Sequence, residues 1–364
     1  MRSGRGIIRG VDRQTAQIYE KRAVEWERRR RPEDLRGALH FAARVPPGGT
    51  RVDLGCGPGF HLSSIGEPVV ALDVAESMLH LARARSGAAP TVCADLEALP
   101  FARRALAGAW AEKSYVHLPR TRLPWALAQL HWALLPGAPL ALRMRAGEEE
   151  GRLRSDDFPG RYFAEWDRRH LIDVVEGAGF EVDETRLEGR WIDVDAIRLR
   201  SLPDTVGPDL RMLVCGLNPS EFAADAGVGF ARPGNRFWPA ARRAGLVTGD
   251  RDPIAALREG VGMTDLVKRA TPRADRIDRR EYAEGLARVE RLSCWLRPGV
   301  VCFAGLAGWR AAVDPTATAG PIEGGFAGRP AYLMPSTSGA NASADVGSLA
   351  AHLGAAVDQA GPTN

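Results

Sequence analysis

The chain has 364 residues, 45% of them hydrophobic, and a formal net charge of +4, so it exceeds one typical domain and holds apolar material for two cores. That mild basicity is compatible with a nucleic-acid partner but too weak to argue for one. Five cysteines (56, 93, 215, 294, 302) without a Cys-x-x-Cys pair or a His/Cys cluster argue against zinc and iron–sulfur sites and for a reducing cytoplasm.

No apolar run approaches ~18 residues, so no membrane span is expected, and the charged N-terminus lacks the apolar core of a signal peptide. Lysine occurs only at 21, 113 and 268; the arginine bias reads first as a compositional habit, with phosphate binding a minor contributor. Residues 1 to about 47 read as helical. Their basic run, Arg28 to Arg31 beside Glu25, Trp26 and Glu27, reads as a solvated helix face, with a nucleic-acid contact as the minority reading.

Thr50-Arg51-Val52-Asp53-Leu54 then reads as a strand entering the glycine-rich turn Gly55-Cys56-Gly57-Pro58-Gly59, followed by a helix. Glycines there let backbone approach a ligand. Phe60 stands where a dinucleotide fingerprint needs a later small residue, which argues against NAD. Val69 to Asp73 and Val92 to Asp95 read as further strands ending in an acid. This pattern resembles motif I and its companions in class I S-adenosylmethionine-dependent methyltransferases. The resemblance implies a Rossmann-like sheet with helices on both faces. It also implies a cofactor site of Asp53, Gly55, Gly57, Gly59, Asp73, Asp95 and Leu96. Asp73 would take the ribose hydroxyls, Asp95 the adenine amino group, and Asp53 would lie near the methionine ammonium.

The fourth strand leads into Lys113-Ser114-Tyr115-Val116-His117. Amino-directed DNA methyltransferases carry an Asp/Asn-Pro-Pro-Tyr/Phe tetrapeptide there, and cytosine C5 enzymes a Pro-Cys nucleophile; this chain has neither. The segment is similar to the broad "type 11" group, whose acceptors include small molecules and tRNA bases. His117 is a candidate general base, since methyl transfer to N or O often needs a proton removed; a structural role is its alternative. Trp132 to Gly137 with Leu140 to Arg143 reads as helix, turn and fifth strand. Gly177 to Val182 and Ala196 to Leu199 read as a closing hairpin. Leu202 to Pro208 reads as a linker, dividing the chain into domains 1–200 and 201–364.

Downstream, strands are expected near 212–217, 262–267, 300–305 and 331–335, and helices starting near Arg236, Pro253, Arg279 and Ser343. Met212-Leu213-Val214 delivers Cys215-Gly216-Leu217-Asn218-Pro219-Ser220 to a sharp turn, and Ala331 to Met334 delivers Pro335-Ser336-Thr337-Ser338-Gly339-Ala340-Asn341 to a second. Ligands of open α/β sheets bind beyond such strand ends. Between them lie Phe230, Asn235-Arg236-Phe237-Trp238 and Gly262-Met263-Thr264. In this order the motifs resemble the mismatch-specific uracil/thymine DNA glycosylases, family 2 of the uracil-DNA glycosylase superfamily.

That resemblance implies a three-layer α/β/α domain with a mainly parallel four-stranded sheet, acting on a flipped uracil-type base in mismatched duplex or single-stranded DNA. It implies Asn218 as the water-positioning residue, Ser336 as a holder of the phosphodiester, and Phe230 as the stacking aromatic. Leu217, Ser220, Asn235, Gly339 and Ala340 complete the substrate site. Ser220 replaces the bulky Tyr of uracil-only relatives, leaving room for a 5-methyl group. Gly339-Ala340-Asn341 departs from the family's usual Leu or Arg wedge. Lys268 has no motif aiming it at the sugar, so a monofunctional enzyme without cofactor is expected, working in the cytoplasm on nucleoid DNA. The basic stretch from Lys268 to Arg280 reads equally as phosphate contact or solvated surface. Two rival readings remain: a C-terminal pocket that only recognises a modified base, and a chain whose methyltransferase, acting on RNA or a small molecule, is its one activity. The methyl acceptor and oligomeric state are not legible.

Overall fold

The computed structural model describes residues 11–31, 35–87, 89–153, 156–341 and 344–361. The chain divides into two compact units, residues 1–176 with 180–199, and residues 177–179 with 200–364.

In unit 1, β1 (Arg51–Leu54), β2 (Val69–Asp73), β3 (Thr91–Cys93), β4 (Gly108–Glu112) and β5 (Pro139–Ala146) run parallel in the order β3-β2-β1-β4-β5. A short hairpin, β6 (Glu150–Arg152) and β7 (Tyr162–Trp166), joins the C-terminal end of β5 through Arg145 and Ala146. The long antiparallel pair β8 (Phe180–Glu188) and β9 (Trp191–Arg198) closes that edge, β9 lying along all of β5 but its last residue. The helices are α1 (Arg13–Arg29), α2 (Leu35–Arg44), α3 (Glu76–Ser86), α4 (Leu123–Ala133) and α5 (Arg168–Gly177). Phe41 of α2 and Leu79 and Ala82 of α3 pack with Val69, Ala71 and Trp110 of the sheet in one buried cluster.

The helix expected after the glycine turn does not form: residues 57–64 are successive turns. Gly57, Gly59 and Gly66 all take positive φ, which interrupts helical backbone at both ends of this segment.

Unit 2 carries β10 (Met212–Gly216), β11 (Val261–Asp265), β12 (Val300–Ala304), β13 (Gly320–Pro321) and β14 (Ala331–Met334), in the order β11-β10-β12-β14-β13. The four expected strands are parallel, and two-residue β13 adds an antiparallel edge. Its helices are α6 (Glu221–Ala226), α7 (Phe237–Arg243), α8 (Pro253–Arg258), α9 (Arg279–Leu296), α10 (Ala307–Ala312) and α11 (Val346–Val357).

Strand side chains alternate between two apolar layers, as a sheet covered on both faces requires. Met212, Val214, Met263, Cys302 and Met334 face α7 and α11, while Cys215, Val301, Phe303 and Leu333 face α9 and α10. Local signals set the helix starts. Asp278 and Glu281 form a reciprocal capping box on α9, Asp252 caps α8 ahead of Pro253, and Asp345 caps α11. Ser343, where the last helix was expected to begin, lies outside the described residues, as do residues 1–10 of the expected N-terminal helix.

Candidate active sites

In unit 1 a cavity of about 570 Å³ opens beyond the C-terminal ends of β1, β2 and β4. Gly55, Gly57, Asp53, Asp73, Leu96 and His117 all line it, together with Ser114, Glu112, Tyr19 and Trp26. Gly55 holds φ at +69°, and a Cβ there would sit 2.4 Å from the Cβ of Ser114, so only glycine lets the turn lie against the end of β4. Gly59 serves packing instead: a Cβ would meet Leu62 at 2.7 Å and Ala82 of α3 at 3.2 Å.

The three strand-end acids differ. Asp53 is buried, its Oδ2 has no hydrogen-bond partner, and burial, with Asp73 and Glu112 nearby, pushes its carboxyl up to about 8. Asp73 accepts from the N–H groups of Gly57 and Ala75, each at 2.9 Å, and burial still raises it to about 6. Asp95 accepts from Val11 N at 2.8 Å and Glu97 N at 2.9 Å. It does not itself line the cavity; its neighbours Ala94 and Leu96 do.

His117 is buried with both ring nitrogens engaged. Nδ1 lies 2.7 Å from the Tyr162 carbonyl oxygen and therefore donates to it, which leaves Nε2 to accept from the Tyr19 hydroxyl at 2.8 Å. Arg161 in turn donates to the Tyr19 oxygen at 2.8 Å. Burial, aided by Arg161, holds the His117 ring down to about 4 despite the Tyr162 bond, so it is neutral at pH 7. Tyr19, Arg161 and Trp26 carry no local motif; they enter from α1 and from the segment ahead of β7. Arg30 and Arg31 also line the cavity, Arg30 pairing with Asp157 at 2.5 Å, so this basic run is not simply a solvated face.

In unit 2 the two turns converge through the segment 230–236. Phe230 takes φ +58°, uncommon for a bulky residue. It stacks on Phe237 with ring centroids 4.2 Å apart, and its Cζ lies 3.4 Å from where a Cβ of Gly216 would stand. At the other end, Arg236 N donates to Thr337 O at 2.9 Å. The Arg236 guanidinium donates to the carbonyls of Ser338, Asn341 and Ala344, fastening the second turn to the start of α7. Asn341 Nδ2 donates to Ser336 O at 2.8 Å, and Ser338 N to Ser336 Oγ at 3.3 Å. Gly339 and Ala340 are exposed at the tip.

Asn218 is half-buried at the first turn. Its Nδ2 faces three acceptors: Thr271 Oγ1 at 2.7 Å, Pro219 O at 3.1 Å and Arg269 O at 3.2 Å. These orient the amide and leave Oδ1 as the group to accept from a ligand. Thr271 is 3% exposed and passes its own proton to Arg273 O. Leu217 is partly buried against the α9/α10 layer, and its carbonyl accepts from Val267 N at 2.9 Å. Ser220 Oγ caps α6 by accepting from Ala223 N, and Asn235 Oδ1 accepts from Phe237 N at 2.9 Å.

Sequence reasoning missed Thr271, Arg236 and Asp265. The Asp265 carboxylate would stand 2.4 Å from a Cβ at Gly216, beside Phe230, and burial raises it to about 6. Lys268 Nζ is held 2.7 Å from Asp204, which Arg288 also meets at 2.8 Å. Burial opposes that charge, but Arg288 and Lys268 keep Asp204 below the ordinary carboxylate range. In the basic stretch, Arg269 pairs with Glu281, Arg273 with Asp275 and Arg280 with Glu284.

Each unit is therefore an α/β domain with a polar site at its strand ends. Residues 52–137 match the family model of a methyltransferase domain, and residues 203–356 that of the uracil DNA glycosylase superfamily. The chain is a fusion of a methyltransferase domain with a uracil DNA glycosylase superfamily domain. Among solved structures it is similar to Burkholderia thailandensis 1,6-didemethyltoxoflavin-N1-methyltransferase (18% identity, 54% of this chain and 93% of that one, TM-score 0.42). It is also similar to the CcbJ methyltransferase of Streptomyces caelestis (17%, 52% and 99%, 0.42). A third is an S-adenosylmethionine-dependent methyltransferase from Mesorhizobium loti (19%, 45% and 100%, 0.37). Among the described residues no helix is long and apolar enough to cross a membrane.

Proposed function

We propose that residues 201–364 form a monofunctional mismatch-type uracil-DNA glycosylase, and that residues 1–200 form an S-adenosylmethionine-dependent methyltransferase. The observation that carries the first reading is the oriented amide of Asn218 on the turn whose Gly216 packs against Phe230. A base inside a duplex cannot be attacked at its glycosidic bond, so it is flipped out. Phe230, backed on one face by Phe237, stacks on the flipped uracil. Asn218 Oδ1 orients a water toward the sugar; an amide cannot take the proton, so turnover is slow. Leu217 and Asn235 flank the base, while Ser336, Gly339 and Ala340 meet the DNA backbone near the vacated stack.

The Ser220 hydroxyl turns back to cap α6, which supports room for thymine or 5-substituted uracils. Lys268 is committed to Asp204, which supports hydrolysis without a Schiff-base step.

The unit 1 residues fit the proposed cofactor. Asp53, with Oδ2 unsatisfied, and Ser114, with Oγ unsatisfied, would hold the ammonium end; Asp73 would accept the ribose hydroxyls, with Gly55 and Gly57 lying close. Leu96 would cover the adenine, and Asp95 would take its amino group from just outside the cavity. When bound, the cofactor supplies an electrophilic methyl group. A proton leaving the acceptor toward His117 would pass through Tyr19, because Nε2 already accepts that hydroxyl.

Duplexes carrying G·U, A·U and G·T, and single-stranded U, followed by alkaline cleavage of abasic sites, test the glycosylase reading. Binding to G·U with no abasic sites would favour a recognition module serving a methyltransferase on RNA or a small molecule.

A further inference from the structure

The unit 1 cavity extends past the residues assigned to the cofactor. Its remaining wall combines aromatic faces (Tyr19, Trp26, Phe163, Trp191) with Arg31, Lys113, Arg145, Arg161 and Arg190. Several of these cations are balanced. Arg161 is met by Asp156 at 2.6 Å and Asp157 at 3.0 Å, Arg145 by Glu165 at 2.6 Å, and Lys113 by Glu112 at 3.4 Å. Arg31 and Arg190 are exposed, and no acidic side chain among the described residues pairs with either. The Arg31 guanidinium donates to the Arg30 carbonyl, at 3.0 Å. Among the described residues the wall thus holds two guanidinium groups without a carboxylate partner, and aromatic rings of which Trp191 already carries Lys113 over one face, at 4.6 Å, and Phe163 carries Arg145 and Arg161, at 5.6 and 5.1 Å.

Helix α1 roofs this space and is fastened on both sides. Glu20 accepts from Ser77 N at 3.1 Å and Ser77 Oγ at 2.7 Å, and Glu27 pairs with Arg85 at 2.5 Å, tying α1 to α3. Across the cavity, Thr15 Oγ1 accepts from Tyr162 N at 2.8 Å, and Asp12 pairs with Arg152 at 2.8 Å. A roofed cavity of about 570 Å³ is of the size that takes a small ligand.

We propose that the methyl acceptor of unit 1 is a small planar aromatic molecule bearing an anionic group. Its ring packs among Trp26, Phe163 and Trp191, and its anion meets Arg31 and Arg190. Guanidinium forks match carboxylate and phosphate alike, so both sources share the chemistry. This inference rests on reading unit 1 as a methyltransferase.

The test is calorimetric titration of the full chain with two matched pairs: naphthalene-2-carboxylate against its carboxamide, and uridine 5′-monophosphate against uridine. S-adenosylhomocysteine, titrated separately, reports on the cofactor reading: its failure to bind would overturn the methyltransferase reading and with it the role of acceptor, whereas its binding without any anion preference would overturn the acceptor proposal alone. At least one anion should bind about tenfold tighter than its neutral counterpart, and the pair that shows the preference identifies carboxylate or phosphate. The double variant Arg31→Gln/Arg190→Gln, altered at two exposed positions, should reduce the preference to about threefold or less while S-adenosylhomocysteine binds as before. Equal affinity for anion and neutral partner, binding by none of the four probes, or a preference that survives the double variant would overturn the proposal. So would a single-stranded RNA oligonucleotide that binds the chain and loses its binding in the same double variant.

Discussion

The two sites stand at equivalent places, beyond the C-terminal ends of parallel strands, yet Asp53 and Asn218 are held in different ways. In unit 1 Asp53 and Asp73 are buried, and Asp53 lacks any partner for Oδ2. In unit 2 the group past the end of β10 is a neutral amide whose nitrogen is saturated by Thr271, Pro219 and Arg269, although the end of β11 carries a raised carboxyl of its own, Asp265. A buried carboxyl without a partner costs stability until a cation or donor arrives, which suits a site built to be filled by a charged ligand. A neutral amide held by three acceptors carries no such penalty and stays oriented, which suits a residue that aims a water.

Breaking the rigid side gives the largest expected effect. Asn218→Ala should slow single-turnover uracil release by ~10²–10⁴-fold, while gel-shift affinity for G·U duplex is retained because phosphate contacts supply most of it. Thr271→Val removes the closest anchor of the amide and should slow the same step about tenfold. Thr271→Ser should restore the rate; if Thr271→Val were as fast as wild type, the two backbone carbonyls alone would orient Asn218.

On the other side, Asp73→Ala should weaken S-adenosylhomocysteine binding in calorimetry by about tenfold. Tight NAD binding with no response to S-adenosylhomocysteine would remove the cofactor assignment altogether. The raised Asp53 carboxyl has its own signature. From an unfolded value of 3.8 to a folded value of about 8, the folded state holds the extra proton. Stability of the empty unit therefore falls as pH rises through that window. An ammonium beside Asp53 expels that proton, so ligand binding at pH 7 should release protons, read from binding heats in buffers of different ionisation enthalpy. Asp53→Asn should abolish the release.

The smallest effect concerns the exposed tip of the second turn. With only Ala340 to enter the vacated stack, G·U and single-stranded U should be cleaved faster than A·U, because unstacking costs least at mismatches. Ala340→Arg should narrow the A·U gap by roughly threefold; equal wild-type rates on A·U and G·U would contradict this.

Motifs that are continuous in the chain were legible in advance. The Asp53 to Gly59 turn, the strand ending at Asp73 and the Asn218 and Ser336 turns follow apolar runs whose ends can be read residue by residue. What escaped comes from elements joined only in space. Tyr19 and Trp26 reach the unit 1 cavity from α1, Thr271 meets Asn218 across fifty-three positions, and Arg236 acts on carbonyls more than a hundred residues away. Tyr19, Trp26 and Thr271 have no periodicity or spacing that announces them, and Arg236 stood in a motif that gave no hint of the carbonyls it holds. Asp95 marks the opposite limit: its strand-end position was legible, but its backbone partner, Val11, was not.

The most direct measurement is alkali-dependent cleavage of a uracil-containing G·U duplex by the full chain and by Asn218→Ala. The expected result is strand breaks at the uracil position only after alkali, formed by wild type and nearly absent from the variant under single-turnover conditions. Abasic sites formed equally fast by both proteins, or by neither, would contradict the placement of the catalytic centre at Asn218.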